Sequence, residues 1–256
     1  MTIDRRTVLG GGLAGLGSVL AATASSAQGK AVKAGRLKQS VCRWCYAKIP
    51  LADFCRGVAE LGLTAVDLLP PAEWAVAKAH GLTCSMGSGF AGTIANGLNN
   101  RANHDAIVKG LEENVPLAAK AGVPNVISFF GNVQPGMSEA EAIDNCVAGL
   151  NRTRKVAEDE DVTICVELLN SKVNHPGYQG DRTAFGVAVV KAVASPRVKL
   201  LYDIYHMQIM EGDVIATIRA NLDHIAHFHT GGVPGRHELD DTQELNWLAV
   251  SRAIVD

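Results

Sequence analysis

No sign of charge dominates this sequence. Its 24 Lys and Arg stand against 26 Asp and Glu, a formal net charge of −2 over 256 residues. That balance gives no electrostatic reason to expect nucleic acid or an anionic membrane surface as a partner. Cysteine is sparse as well. Six residues (Cys42, Cys45, Cys55, Cys84, Cys146 and Cys165) are far fewer than a disulfide scaffold of this length would carry. Cys42-Arg-Trp-Cys45 has the C-x-x-C spacing but falls in a strand pattern. There, residues three apart point to opposite faces, so ordinary buried thiols are expected rather than a redox pair or shared ligands. There is no repeat of fixed period. After Gln28 no apolar stretch reaches the roughly 20 residues that span a bilayer.

The N-terminus carries a targeting pattern. Asp4-Arg5-Arg6-Thr7-Val8-Leu9 is a twin-arginine n-region, followed by an apolar, glycine-rich stretch to Ala22 and small residues through Ala27. Residues 1–27 are therefore expected to act as a twin-arginine signal peptide, with the mature chain exported to the periplasm. The stretch is too short for a stable membrane anchor.

From residue 28 onward, short strand-like runs alternate with longer helical ones. The runs are Lys38–Trp44, Thr64–Leu69, Thr83–Met86, Asn125–Phe130, Val162–Leu168, Val198–Asp203 and Ile225–His229. Helical patterns lie between them near Leu51–Leu61, Ala72–His80, Asn103–Ala121, Glu139–Asp159, Thr183–Ala194 and Val214–Leu222, with a last one at Asn246–Ile254. Gly62, Gly81 and Gly122 each sit between a helix and the next strand, as C-terminal caps do, and Ser138 with Glu141 resembles a capping box. Regular alternation implies a parallel sheet with helical crossovers. The turn after the first strand, Cys45-Tyr-Ala-Lys-Ile-Pro50, is no glycine-rich phosphate loop, which argues against an open nucleotide-binding sheet. The fold expected is an α/β TIM (β/α)₈ barrel over residues 28–256, lacking its eighth βα unit in this chain.

Three of the runs end in residues able to bind a metal: Glu167, Asp203 and His229. In a parallel sheet, equivalent strand ends share one edge, so two carboxylates and an imidazole should converge there as a divalent-metal site. The competing reading of Glu167 is a strand-end carboxylate paired with Arg or Lys. Manganese, magnesium or cobalt suits this oxygen-rich set better than a structural zinc. His206, three residues beyond Asp203, is a candidate donor to a substrate oxygen or a proton carrier, against a loop histidine with only a structural bond. Period-two alternation puts His227 on the face of His229 but one layer deeper, as a core histidine that supports the metal ligand. Arg236, in the loop beyond the seventh strand, is placed to grip a substrate carboxylate or hydroxyl. Trp44, at the end of the first strand, is a candidate wall of the substrate site, whereas Trp74 reads as helix packing.

Several segments resemble the hydroxypyruvate isomerase family of the xylose-isomerase-like barrels. They are Val166-Glu-Leu-Leu-Asn170 with His175-Pro-Gly-Tyr178, Leu201-Tyr-Asp-Ile-Tyr-His-Met-Gln208, and His227-Phe-His-Thr230 with Pro234-Gly-Arg-His-Glu238. The resemblance runs from about Lys38 to Trp247 and implies a divalent ion held by Glu167, Asp203 and His229. The histidine at the third position looks more like the epimerases of these barrels. The family's second glutamate belongs to an eighth strand that this sequence does not contain. Glu244, the nearest downstream carboxylate, lies in the loop before the last helix, and the role is not carried onto it.

An ion beside a carboxylate suits proton abstraction next to a carbonyl, with Glu167 as base as well as ligand. The reaction expected is isomerisation of hydroxypyruvate to tartronate semialdehyde, or of a related small sugar or keto acid. A ketose 3-epimerase of the same mechanism and a non-catalytic carbohydrate-binding barrel are the alternatives. The partner implied is a small-molecule substrate, and self-assembly into a homo-oligomer stays open.

Overall fold

The computed structural model describes residues 35–256, and the segment assigned to export lies outside them. Seven strands form one parallel sheet in sequential order. They are β1 (Ser40–Cys42), β2 (Ala65–Leu69), β3 (Thr83–Gly87), β4 (Asn125–Phe129), β5 (Thr163–Leu168), β6 (Val198–Asp203) and β7 (Ile225–His229). Each pairs with its neighbours in sequence, so among the described residues β1 and β7 have one partner strand each. The helices between them are α1 (Leu51–Glu60), α2 (Trp74–Ala79), α3 (His104–Ala121), α4 (Glu139–Asp159), α5 (Thr183–Val193), α6 (Ile204–Met210) and α7 (Val214–Asn221), with α8 (Trp247–Val255) after β7.

The strands read as near-continuous apolar runs because both faces are covered. Every residue of β5 is buried. Helix faces bearing Leu111, Val115, Leu150 and Val190 pack on the outer face of the sheet with Val166, Leu168 and Leu200. On the opposite face Met86, Ile127, Cys165 and Leu201 form a separate small cluster from four successive strands. Alternation along a strand then places Glu167 two residues above Cys165 and Asp203 two above Leu201, at the carboxyl end of that inner face. An apolar layer therefore floors the polar one. Gly122 ends α3 in the left-handed conformation expected of a cap, and Ser138 Oγ accepts from Glu141 N–H.

Two elements differ from the sequence expectation. The first strand stops at Cys42, and Arg43–Tyr46 winds into a 3₁₀ turn. Cys42 and Cys45 thus do not share a strand, Cys45 is exposed, and Trp44 belongs to the turn rather than the strand end. The second difference is α6, where a loop was expected. Asp203 starts this helix by accepting from His206 N–H at 3.1 Å, the bond an N-cap supplies. Among the described residues no helix is long and apolar enough to cross a membrane.

The loop after β3 returns against the end of β4. Leu98 N–H and Asn99 N–H donate to the carbonyls of Phe129 and Phe130 at 3.0 and 2.8 Å. Gly97 makes this approach feasible, since a Cβ there would overlap the backbone of Phe129 and Gly131. Gly97→Ala is expected to lower stability by about 1–3 kcal/mol, the usual range for an overpacked site, read as a drop in the urea midpoint. An unchanged midpoint would mean that this loop does not lie against β4.

Candidate metal centre

Glu167, Asp203 and His229 do meet. Glu167 is the penultimate residue of β5, while Asp203 and His229 close β6 and β7, where they pair in register. One donor atom from each lies within 4.8 Å of the others. His229 Nδ1 is 3.0 Å from Glu167 Oε1 and 3.9 Å from Asp203 Oδ2. Both carboxylates are almost fully shielded, at 6% and 2% exposure. The backbone at Glu167 is pinned by Tyr178, whose hydroxyl donates to the Glu167 carbonyl at 2.8 Å and accepts from Phe130 N–H at 2.9 Å.

A fourth group escaped the sequence reading. Asp67, in the middle of β2 and 1% exposed, places Oδ2 at 2.8 Å from His229 Nε2 and 3.4 Å from His227 Nε2. Its Oδ1 accepts from Ser85 Oγ on β3, and the Cys42 thiol lies 3.8 Å from Oδ2. Register shifts flank Asp67 on both sides, one at Ser85 and one at Leu68. Leu68 has φ +60°, a conformation that a branched side chain rarely adopts. The available signal was a lone carboxylate inside an apolar strand, which is costly to bury without partners. His227 is found as expected, one layer below His229 on the same face, and Asp67 is its partner.

The electrostatics follow from this packing. Burial acts to raise the Asp67 carboxyl, but the bonds from His227 and His229 outweigh it and hold Asp67 well below the usual carboxylate range. Burial acts to lower His229, and the bonds to Asp67 and Glu167 overcome it and push the imidazole well up. Asp203 is pushed up to about 6, first by burial and then by the negative charge of Glu167, against the pull of His229. The donor set is thus short of positive charge at Asp203. Cys42, Asp67 and His229 Nε2 form a second convergent set, also within 4.8 Å, but burial and the neighbouring Asp67 push the Cys42 thiol far up, away from the thiolate a metal would need.

His206 lies in the first turn of α6 and is 1% exposed, so it is not a loop histidine. Its Nδ1 accepts from the backbone N–H of Asn170 at 3.1 Å, which leaves the proton on Nε2, 3.7 Å from Asp203 Oδ2. Burial, aided by the charges of Arg236 and His175, pushes its pKa down to about 2. This suits a neutral hydrogen-bond donor and disfavours a proton carrier. Asn170, named from the sequence only within Val166-Glu-Leu-Leu-Asn170 and without a role, also caps its own loop, Oδ1 accepting from Val173 and Asn174 N–H. The exposed Arg236 sits with its guanidinium carbon 5.1 Å from the Trp44 ring and 4.9 Å from the Tyr205 ring. Trp44, 54% exposed, therefore backs Arg236 rather than forming a buried wall. Glu244 is exposed and joins none of these bonds through its side chain.

A family model described as Xylose isomerase-like TIM barrel matches residues 56–256. The chain is 30% identical over 212 residues to the 2-oxo-tetronate isomerase of Cupriavidus necator, covering 79% of this chain and 81% of that one. It is 25% identical over 179 residues to the hydroxypyruvate isomerase of Escherichia coli, covering 70% of this chain and 62% of the relative. Among solved structures, the IOLI protein with a binding zinc atom superposes with a TM-score of 0.66 at 14% identity, over 85% of this chain and 84% of that one, a likeness of fold.

Tyr178→Phe removes the bonds to Glu167 and Phe130 while keeping the ring. It leaves the buried Phe130 N–H unpaired, so a loss of about 1–3 kcal/mol in unfolding free energy is expected, measured by denaturant titration. A change within error would show that Tyr178 does not anchor the end of β5.

Proposed function

The chain belongs to the xylose isomerase-like TIM barrel family, and on that premise we propose that it isomerises a small hydroxy-keto acid, hydroxypyruvate or a relative such as 2-oxo-tetronate, at a divalent ion held by Glu167, Asp203 and His229. The observation that carries this reading is the convergence of two buried carboxylates and one imidazole, their donor atoms within 4.8 Å, at the carboxyl end of three adjacent strands. The residues fit a divalent cation. Two buried carboxylates share one imidazole, and Asp203 is held up to about 6 by burial and the charge of Glu167, a repulsion that a cation between them would relieve. Manganese, magnesium or cobalt suits the set, since two of its three donors are oxygens and none is a thiolate. The names of the two isomerase relatives support the substrate class.

When bound, the ion would supply polarisation of the substrate's carbonyl and hydroxyl oxygens. Glu167 removes a proton from the carbon that bears the hydroxyl, and the electron pair moves through the neighbouring carbon to the carbonyl oxygen to give an enediolate. The hydroxyl proton passes to the former carbonyl oxygen, and Glu167 returns the carbon-bound proton to the former carbonyl carbon. The carbonyl thereby moves to the neighbouring carbon, giving an aldehyde from hydroxypyruvate and a ketone from 2-oxo-tetronate. The neutral Nε2–H of His206, its ring fixed by the Asn170 N–H, donates to a substrate oxygen. Arg236, held between the Trp44 and Tyr205 faces, presents its guanidinium edge to the acid group, a bidentate match for a carboxylate. Export by the twin-arginine segment is part of the same proposal, with a periplasmic enzyme as its outcome.

The test pairs ion binding with turnover. Wild-type protein is expected to take up manganese(II) and to turn over hydroxypyruvate or 2-oxo-tetronate, while Asp203→Ala and His229→Ala lose most of the bound ion by elemental analysis. Arg236→Met should raise KM for the acid about tenfold or more, the loss of one charge-assisted contact of about 1.5–3 kcal/mol. Undiminished ion content in both ligand variants would overturn the metal centre. Turnover of a neutral ketose such as D-fructose, with none of either acid, would overturn the substrate class.

A further inference from the structure

We infer that Asp67 is a positioning residue for the metal centre: it holds His229 by Nε2–H, so that Nδ1 is the nitrogen turned toward Glu167 and Asp203. The inference rests on the metal reading above and extends it to a strand, β2, that supplies none of the three ligands.

A neutral imidazole carries one proton, and the partner of one nitrogen decides what the other can do. A ring with its proton on Nδ1 cannot ligate through that atom. In this structure each nitrogen of His229 faces a carboxylate, but only Nδ1 faces the other two members of the ligand set. Nδ1 looks at Glu167 Oε1, 3.0 Å away, and Asp203 Oδ2, 3.9 Å away. Nε2 looks at Asp67 Oδ2, 2.8 Å away. A carboxylate only accepts, so in the metal-free ring each nitrogen holds a hydrogen toward its own carboxylate. An ion among Glu167, Asp203 and Nδ1 would displace the Nδ1 proton, while Asp67 would keep the one on Nε2. Metal-binding histidines commonly hand their second N–H to a carboxylate in this way, which sets ring angle and basicity together.

Asp67 is itself held in place. Ser85 Oγ occupies Oδ1, His227 approaches the shared Oδ2 at 3.4 Å, and the side chain is 1% exposed. The strand is also distorted around it. The two register shifts beside Asp67 and the left-handed Leu68 break the pairing of β2 with β3 where the carboxylate turns inward. Bulges recur beside functional sites because they re-aim a side chain, and a strained non-glycine residue points to a function when it is observed, as here. The link runs from β2 to β7, strands that are not sheet neighbours, so Asp67 acts across the inner face.

The experiment measures manganese(II) affinity of the full chain by calorimetry, alongside the melting temperature of the metal-free protein. Asp67→Asn keeps the shape but gives Nε2 a neutral partner that can also donate and reverse the tautomer. Affinity is expected to fall about 10–100-fold, together with a lower melting temperature as the buried pair with His229 loses its negative charge. A purely structural Asp67 would show the lower melting temperature with unchanged affinity, and that result overturns the inference. Should Asp67→Asn fail to fold, Ser85→Ala loosens the carboxylate without touching Nε2. A several-fold loss of affinity is then expected, and an unchanged value counts against Asp67. In Asp67→Ala, added formate is expected to restore affinity by filling the vacated carboxylate position, and failure of rescue argues against the role. Equal affinities in wild type and Asp67→Asn would remove Asp67 and leave the metal centre standing. No manganese binding by wild type would remove the metal centre itself.

Discussion

The imidazole of His229 lies between carboxylates that arrive from opposite directions, Glu167 at one nitrogen and Asp67 at the other. Much of the site depends on that arrangement. Three acidic side chains, Asp67, Glu167 and Asp203, are buried around a single ring, and unpaired buried charge is among the costliest things a fold can contain. The ring answers two of the three directly. Asp203 receives the least compensation, and burial beside Glu167 leaves it the carboxylate most easily protonated. A divalent cation at Nδ1 would complete the balance, and so charge alone points to the same place as the geometry.

The fold makes this arrangement affordable by layering. Met86, Ile127, Cys165 and Leu201 close the inner face below, so the polar groups are confined to the strand ends, with Tyr178 tying the end of β5 to the end of β4. Asp203 serves both layers of organisation, since its Oδ1 starts α6 through His206 N–H while its Oδ2 faces His229. That capping bond carries His206 into the site on a helix rather than a loop. Arg236 adds a separate positive group at the mouth, shielded on two sides by aromatic faces. A positive edge at the mouth and a carboxylate base beneath it suit a small acid with an exchangeable carbon-bound proton, as the proposed reaction requires.

How far the sequence reveals this depends on periodicity. Strands buried on both faces stand out as apolar runs, and the convergence of Glu167, Asp203 and His229 was legible because each is a polar residue at or next to the end of such a run. His227 was legible from simple alternation. Asp67 was not, because it lies inside its run, and two bulges decide which way it points. A bulge adds a residue without changing the hydrophobic pattern, so no counting of alternation finds it. Trp44 was misplaced because Val41 and Cys42 lead smoothly into it, while the backbone has already turned. Ile204–Met210 was missed as a helix since it is apolar around most of its circumference and shows no amphipathic stripe. The twin-arginine pattern of residues 1–27 lies outside the described residues and rests on sequence alone.

The central claim, an ion on the Nδ1 side of His229, is tested most directly by anomalous diffraction from crystals grown with manganese(II). The account predicts one strong peak bonded to Glu167, Asp203 and His229 Nδ1, with Asp67 still against Nε2. A peak on the Nε2 side, among Cys42, Asp67 and His229, or no peak at this end of the sheet, would contradict it.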